Sequence, residues 1–373
     1  MSSPYDCVQW VGMDLHRRRS VLVRMAADGQ RLGKMVRFNN DPARLKREIA
    51  KAGPQPKVVL DATLGWYWAA DALAEAGAEV HLAHPLGVKA FSYRRLKNDE
   101  RDAADLADLL RLGRLPEAWL APPETRELRE LVRGRHKLVS LRTSCRNQAH
   151  GVMGKLGIEV PMSDLFGTTG TAFLDELPLP AGYAARVRAL CAVMHELGQQ
   201  IGMLDKEIAA RLASDTGYRA IQKIGGIGPV LAAVFTVEIA DVTRFPDPQH
   251  LCSWAGLTPR QRESDTVVRR GHLTKQGSKL VRWAAVEAVQ HAPESTPMRA
   301  HKDRIEARRG VGGTQYRQGR RSAQAAHPGL LRAARRRGPL PDPPGPGVSS
   351  IRTHDRRVIA MTSGPRTAAR PRD

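Results

Sequence analysis

Two short apolar runs constrain this chain most: CVQWVGMD, ending at Asp14, and KVVLD, ending at Asp61. Each reads as a strand that releases an acidic side chain as it leaves the sheet, and KVVLD is compact and apolar enough for the centre of one. A third acidic stretch, KNDERDAADLADLLR over residues 97–111, repeats Asp99, Asp102, Asp105 and Asp108 at a spacing of three, which a helix brings to nearly one face. An acidic stripe of this kind is ordinarily a solvated helix face. Acids gathered from two strand ends and one helix are different, because they cannot all stay ionised unless cations neutralise them. Two divalent metal ions are the usual solution.

The segments around these acids predict a mixed sheet with flanking helices. Residues 8–37 read as three strands, VQWVGMD, SVLVRMA and RLGKMVRF, with a hairpin turn at Asp28-Gly29. A helix follows over 41–51, introduced by Asp41-Pro42, then the strand KVVLD, a helix over 65–76, a strand at 78–83 and the acidic helix. The expected fold class is α/β plus α. This order of elements, with acids on the first strand, the fourth strand and a later helix, is the one found in RNase H-like nucleases.

The 373 residues allow two domains with a helical section between them. A net charge of +21 and a pI near 10.5 point to a polyanionic partner, nucleic acid before a membrane surface. There is no run of eighteen apolar residues, no apolar leader and no basic amphipathic anchor, so the expectation is a cytoplasmic protein with no membrane partner. Cys7, Cys145, Cys191 and Cys252 are far apart and form no CxxC pair, which argues against a zinc site and a disulfide framework.

From residue 122 to 157 the chain has few helix breakers. Leu128, Leu131, Leu138 and Leu141 approximate a heptad seam, and Arg126, Arg129, Arg133, Arg135, Lys137, Arg142 and Arg146 are expected on the exposed positions. A second helix is predicted over 181–213, with Val187, Leu190, Val193, Leu197, Ile201, Leu204 and Ile208 at helical spacing. The two can pair as an antiparallel hairpin or as a dimerising coiled coil, with the Gly-, Pro- and Thr-containing segment between them as a connector. IQKIGGIGPVLAAVFTVEI, 221–239, has the helix-hairpin-helix pattern, in which loop amides around Gly226 and Gly228 can hold a phosphate. The stretch 244–292 then places Arg260, Arg262, Arg269, Arg270, Lys275, Lys279 and Arg282 among few acids, a density suited to a phosphate-lined groove in DNA or RNA binding.

Taken in order, GMDLH, KVVLDAT, KNDERDA, GIGP and the group RF, GLTP, ES and LTKQGSKLVRW resemble the transposases of the insertion-sequence one-hundred-and-ten family, from about Val8 to His291. The resemblance implies a RuvC-like DEDD domain followed by a serine transposase domain. It implies a recombinase that moves its own element between donor and target DNA, guided by a non-coding bridge RNA, with a covalent serine–DNA intermediate. The acidic set it implies is Asp14, Asp61, Asp99 and Asp102, holding Mg²⁺ or Mn²⁺, with Asp105 as runner-up for the last place. Asp61 stands where relatives usually carry Glu, one methylene longer. The implied nucleophile is Ser264, with Ser253 and Ser278 as alternates; the residue after it, commonly Gly in relatives, is Asp265. The expected domains are 1–115 (RuvC-like), 116–215 (helical coiled-coil linker) and 216–308 (all-α, with the helix-hairpin-helix-like turn and the serine), in a homo-oligomer, a dimer or tetramer. Two other classes fit the same residues: a RuvC-type endonuclease that hydrolyses DNA without a serine step, and a non-catalytic nucleic-acid-binding remnant.

From Gly310 onward the composition changes. The last 64 residues hold thirteen Arg and three Asp, with no Lys, Glu or Phe and with several Pro and Gly. Where relatives would continue with an alanine-rich helix, this segment reads as the product of a shifted frame near codon 310, or as a disordered Arg-rich nucleic-acid tail. Translating the gene in its other frames separates the two.

Overall fold

The computed structural model describes residues 8–91 and 98–307, and the tail from 308 lies outside them. The chain forms two compact units, one ending at Gly134 and the other starting at Arg135.

The first unit opens with β1 (Trp10–Leu15), β2 (Arg19–Met25) and β3 (Val36–Asn39). It continues with α1 (Pro42–Ala50), β4 (Lys57–Asp61), α2 (Trp66–Glu75), β5 (Glu79–Ala83), the short α3 (Pro85–Val88), α4 (Asp99–Arg111) and β6 (Glu117–Ala118). The strands form one sheet in the order β3-β2-β1-β4-β5-β6. β1, β2 and β3 are antiparallel neighbours, β4 and β5 run parallel to β1, and β6 closes the edge antiparallel to β5. The mixed α/β architecture matches the expectation, and its first five strands follow the order expected of an RNase H-like domain. Two details differ. The segment predicted as a strand over 31–38 pairs with β2 only from Val36, with an isolated bridge at Met25–Arg31, and β6 was not foreseen.

Strand parity sorts the side chains. Val11, Met13, Leu15, Val58 and Leu60 go to one face of the sheet, into a core with Leu45 and Ile49 of α1 and Leu73 of α2. Val59, Val21 and Val23 go to the other, against Ala103, Ala104, Leu106 and Leu110 of α4. Asp14 and Asp61 share the parity of Gly12 and Val59, so both acids leave the sheet on the α4 side.

The helix α5 (Pro123–Lys155) contains the division between the units. In its first part Arg126 is 5% exposed, a correction to the exposed position expected for it. Its guanidinium donates to Asp71 and lies over the rings of Trp66 and Tyr67, at 5.4 and 4.8 Å from their centroids. Aromatic faces and a carboxylate replace the water that a buried guanidinium loses.

The second unit continues with α6 (Thr168–Glu176), α7 (Ala181–Leu212), α8 (Thr216–Ile221), α9 (Pro229–Ile239) and α10 (Pro248–Trp254). It ends with β7 (Pro259–Ser264), β8 (Val267–Leu273), α11 (Lys279–Gln290) and α12 (Pro297–Ala307). α7 runs antiparallel to the later part of α5, with Arg135 bonded to Asp205 at 2.8 Å and Arg186 to Gln148 at 3.3 Å, so within the chain the hairpin alternative is the one formed. Val187, Met194, Ile201 and Ile208, seven apart, are the buried seam of α7, while Val193 is half-exposed and takes no part in it. The predicted connector has a core of its own, where Leu165 and Phe173 pack with Val152, Met153 and Val187. The expectation of an all-α region over 216–308 is corrected by the antiparallel pair β7–β8. Among the described residues no helix is long and apolar enough to cross a membrane.

Candidate metal centre and nucleic-acid interface

β1 and β4 pair in parallel with Gly12 opposite Val59 and Met13 opposite Leu60. One step further, the same register sets Asp14 beside Asp61, at the carboxyl ends of adjacent strands where open α/β sheets bind their ligands. α4 supplies the third acid by lying almost on the sheet. A Cβ on Gly12 would stand 1.7 Å from the carbonyl oxygen of Ala103 and 2.9 Å from the nitrogen of Ala107, so the helix backbone occupies the place of a side chain. Asp99 is one turn before Ala103, which puts it over the end of β1. Asn98 caps the helix by accepting from Glu100 N at 3.0 Å, and Asp99, Glu100 and Asp102 sit in the first turn, where the helix dipole favours negative charge.

The result is a tight group. Asp14, Asp99 and His16 can each offer a ligand atom, all within 4.8 Å of one another. His16 Nε2 lies 3.0 Å from Asp14 Oδ2 and 3.3 Å from Asp99 Oδ1, and Arg19 and Arg37 approach Asp99 at 3.6 and 3.9 Å. Asp14 Oδ2, Asp61 Oδ1 and His16 Nε2 are shut off from solvent. Two carboxylates and an imidazole suit a hard divalent ion that tolerates nitrogen, Mn²⁺ more readily than Mg²⁺, and Asp61 adds a further oxygen donor on the same side of the sheet. The donor set therefore fits a divalent metal.

The four aspartates of α4 do not share one face. Each three-residue step turns the helix back by about 60°, so the series winds away from the sheet. Asp102 and Asp105 are half-buried, and Asp108 is paired with Arg111 at 2.6 Å. His16 and Gly12, both in GMDLH, join the site without having been among the residues expected there. His16 was detectable as the residue two beyond Asp14, on the same side of the strand.

In the second unit the basic residues fall into separate groups. Arg260, Arg262, Arg269 and Arg270 lie on the β7–β8 ribbon, exposed except at Leu273, with Ser264 at the end of β7. Asp265 in the turn has φ +52°, a left-handed conformation that Gly adopts most easily. Lys275 and Lys279 are exposed. Arg282 is half-buried, with its guanidinium donating to the carbonyls of Ala255 (2.8 Å) and Gly277 (3.0 Å), and burial lowers its pKa below the ordinary value. Its side chain ties α11 to the preceding loop. Ser278 caps α11, accepting from Val281 N at 3.3 Å and donating to the buried Glu238 at 3.2 Å, and Ser253 is exposed on α10.

The GGIG turn borders an open cleft of about 630 Å³, lined also by Arg135, Lys223, Trp283, Glu287 and His291. Gly226 (φ +92°) is required by packing, since a Cβ there would meet the Ala288 carbonyl oxygen at 2.3 Å. Gly228, at the head of α9, faces open space, next to backbone N–H groups that have no partner within the helix. His136 packs against Trp283 with ring centroids 4.8 Å apart and planes tilted by 56°, and burial, with Arg135 beside it, lowers its pKa.

Comparison with known proteins assigns both units. A transposase family model, the IS110-type DEDD domain, matches residues 11–157, and the model described as "Transposase IS116/IS110/IS902 family" matches 218–304. The chain belongs to the IS110 family of transposases. A "Probable family 20 transposase" of Pseudomonas aeruginosa is 28% identical over 234 residues, covering 60% of this chain and 67% of that protein. The "Transposase for insertion sequence element IS1328" of Yersinia enterocolitica is 23% identical over 236 residues, 62% of this chain and 70% of that one. The 43.6 kDa protein of insertion element IS110 from Streptomyces coelicolor is 29% identical over 152 residues, 40% of this chain and 34% of that one. The matches thus span from a third to 70% of these relatives' lengths. Asp14, Asp61, Asp99 and Asp102 lie within the DEDD match, and Ser264 lies within the other.

Proposed function

We propose that this IS110-family transposase cuts and rejoins the DNA of its own element, with Asp14, Asp61, Asp99 and Asp102 holding Mg²⁺ or Mn²⁺ and Ser264 as the attacking group. The observation that carries this reading is the approach of Asp14, His16 and Asp99 to within 4.8 Å of one another beneath the first turn of α4, with Asp61 next to Asp14 by the register of β1 and β4. A divalent ion held there would polarise a phosphodiester and offset its charge. The chain's own contribution is to orient the carboxylates: the sheet fixes two, Gly12 lets α4 set the third, His16 adds a nitrogen donor, and Arg19 and Arg37 balance charge at Asp99. When the serine reacts, its hydroxyl gives up its proton, an Oγ–P bond forms and the P–O bond to a deoxyribose oxygen breaks, with that oxygen taking up a proton and leaving as a hydroxyl, so the phosphodiester bond energy is kept for rejoining. Arg260, Arg262, Arg269, Arg270, Lys275 and Lys279, with the N–H groups near Gly226 and Gly228, supply the positive potential that holds the DNA backbone. The domains proposed are residues 1–115, 116–215 and 216–308, acting in a homo-oligomer with a non-coding RNA as guide.

The test is a labelled duplex spanning the end of the element, incubated with the full-length protein, transcripts of the flanking non-coding DNA and Mg²⁺ or Mn²⁺. A denaturant-resistant protein–DNA adduct is expected. It should be lost in Ser264→Ala and fall by about 100-fold or more in Asp14→Asn and Asp99→Asn. Cleavage that survives Ser264→Ala without an adduct would make the protein a hydrolytic endonuclease. An adduct formed at the normal rate by Asp99→Asn would end the metal role.

A further inference from the structure

We propose that the β7–β8 ribbon docks in the major groove of duplex DNA, with the side that carries Arg260, Arg262, Ser264 and Arg269 against the DNA. The proposal rests on the DNA-recombining reading above and names the element and groove through which that DNA is held.

Every residue from Pro259 to His272 is exposed, so neither face of the ribbon is covered by a helix or another sheet. A bare two-stranded ribbon is marginal in water, and this one is loaded against itself. The register places Arg262 opposite Arg269 and Ser264 opposite Val267, with Gln261 opposite Arg270 and Glu263 opposite Val268 on the reverse side. Arg260 lies at a register irregularity between Pro259 and Gln261, where its Cβ is 3.6 Å from the place a Cβ on Gly271 would take. Directly opposed like charges weaken a strand pair; of the ribbon's two carboxylates, Glu263 is on the other face, where Gln261 donates to it at 3.4 Å, and Asp265 is in the turn. A polyanion laid on the arginine side removes that repulsion.

Shape selects among polyanions. The major groove of B-form DNA, about 12 Å wide, admits a two-stranded ribbon, whereas the deep, narrow major groove of A-form RNA does not. Seven residues of extended chain reach about 20 Å, most of a helical turn. Guanidinium forks match both phosphates and the O6/N7 edge of guanine, and the half-exposed Val267 and Val268 at the tip offer methyl groups to thymine. Ser264 shares the arginine face, so the same docking brings its hydroxyl onto the DNA.

The test compares the full-length protein with an Arg262→Gln/Arg269→Gln double variant on a fluorescent duplex of about 30 base pairs across a salt series. The dissociation constant should rise about 10-fold or more, and the salt slope should fall by about 1 to 2. Protection of guanine N7 from methylation, a major-groove signal, should appear with the wild type and vanish in the variant. The melting temperature should hold or rise, since the substitution removes an opposed pair of charges, which separates lost binding from unfolding. Unchanged affinity, slope and N7 protection in the variant, or protection confined to the minor groove, would overturn the docking alone. So would a variant that loses a folded RNA but keeps the duplex. No duplex binding by the wild type would sink the recombinase reading as well.

Discussion

Gly12 has no side chain because a helix backbone stands in its place. The 1.7 Å gap between a built Cβ and the Ala103 carbonyl means that even one methyl would lift α4 from the sheet and carry Asp99 away from Asp14. Gly12→Ala should destabilise the first unit by about 3 kcal/mol or more, at the upper end of overpacking costs, and weaken Mn²⁺ binding measured by calorimetry. Unfolding and binding curves that match the wild type would show that α4 does not depend on this contact. The aspartates were legible in the sequence because alternation along a strand is local: an acid at the end of an apolar run announces where it emerges. Gly12 was not, although it lies two before Asp14 in GMDLH, because its role comes from a helix that begins almost ninety residues later. Asp61 illustrates the same limit, since its strand is readable but its neighbour Asp14 follows only from the pairing of β1 with β4.

Among the elements, long periodic ones were readable and short ones were not. α4, α5 and α7 follow from their spacing, whereas β6 is two residues with no pattern, and β7–β8 escaped because arginines occupy positions where apolar alternation is the usual strand signal. β6 is nevertheless fastened. His81 of β5 lies 3.3 Å from Glu117 of β6 and 3.0 Å from Glu79. Burial lowers the imidazole pKa, but the two carboxylates outweigh it and leave the value raised above 6.5, while the bond from His81 lowers Glu117 below 4.5. The histidine contribution is fully present below the ordinary imidazole value and is lost as pH rises through the raised one. The glutamate contribution is present above the ordinary carboxylate value and is lost as pH falls through the lowered one. The stability difference between the wild type and His81→Gln, from urea unfolding, should therefore be greatest near about pH 5.5 and shrink by about pH 9. A difference that is flat with pH would mean the pair carries no charge in the folded state.

On the scale of the whole molecule, charge divides where the family matches end. Of the net +21, +10 belongs to residues 310–373, leaving +11 for the rest, and the family matches stop at residue 304. The acids and Ser264 all lie before that point. Thirteen arginines attract any phosphate backbone without reading sequence, and such attraction appears as a steep dependence of affinity on salt. A chain ending at Arg309 should therefore bind random duplex about 10-fold or more weakly at low salt, with a shallower slope, and still form the Ser264–DNA adduct at the end of the element. The two readouts separate general adhesion from chemistry. If the adduct is lost along with the slope, the arginine-rich segment belongs to the reaction itself. If neither changes, DNA is held by residues 1–309 alone, and the ribbon and the GGIG turn are the first candidates for the counter-charge.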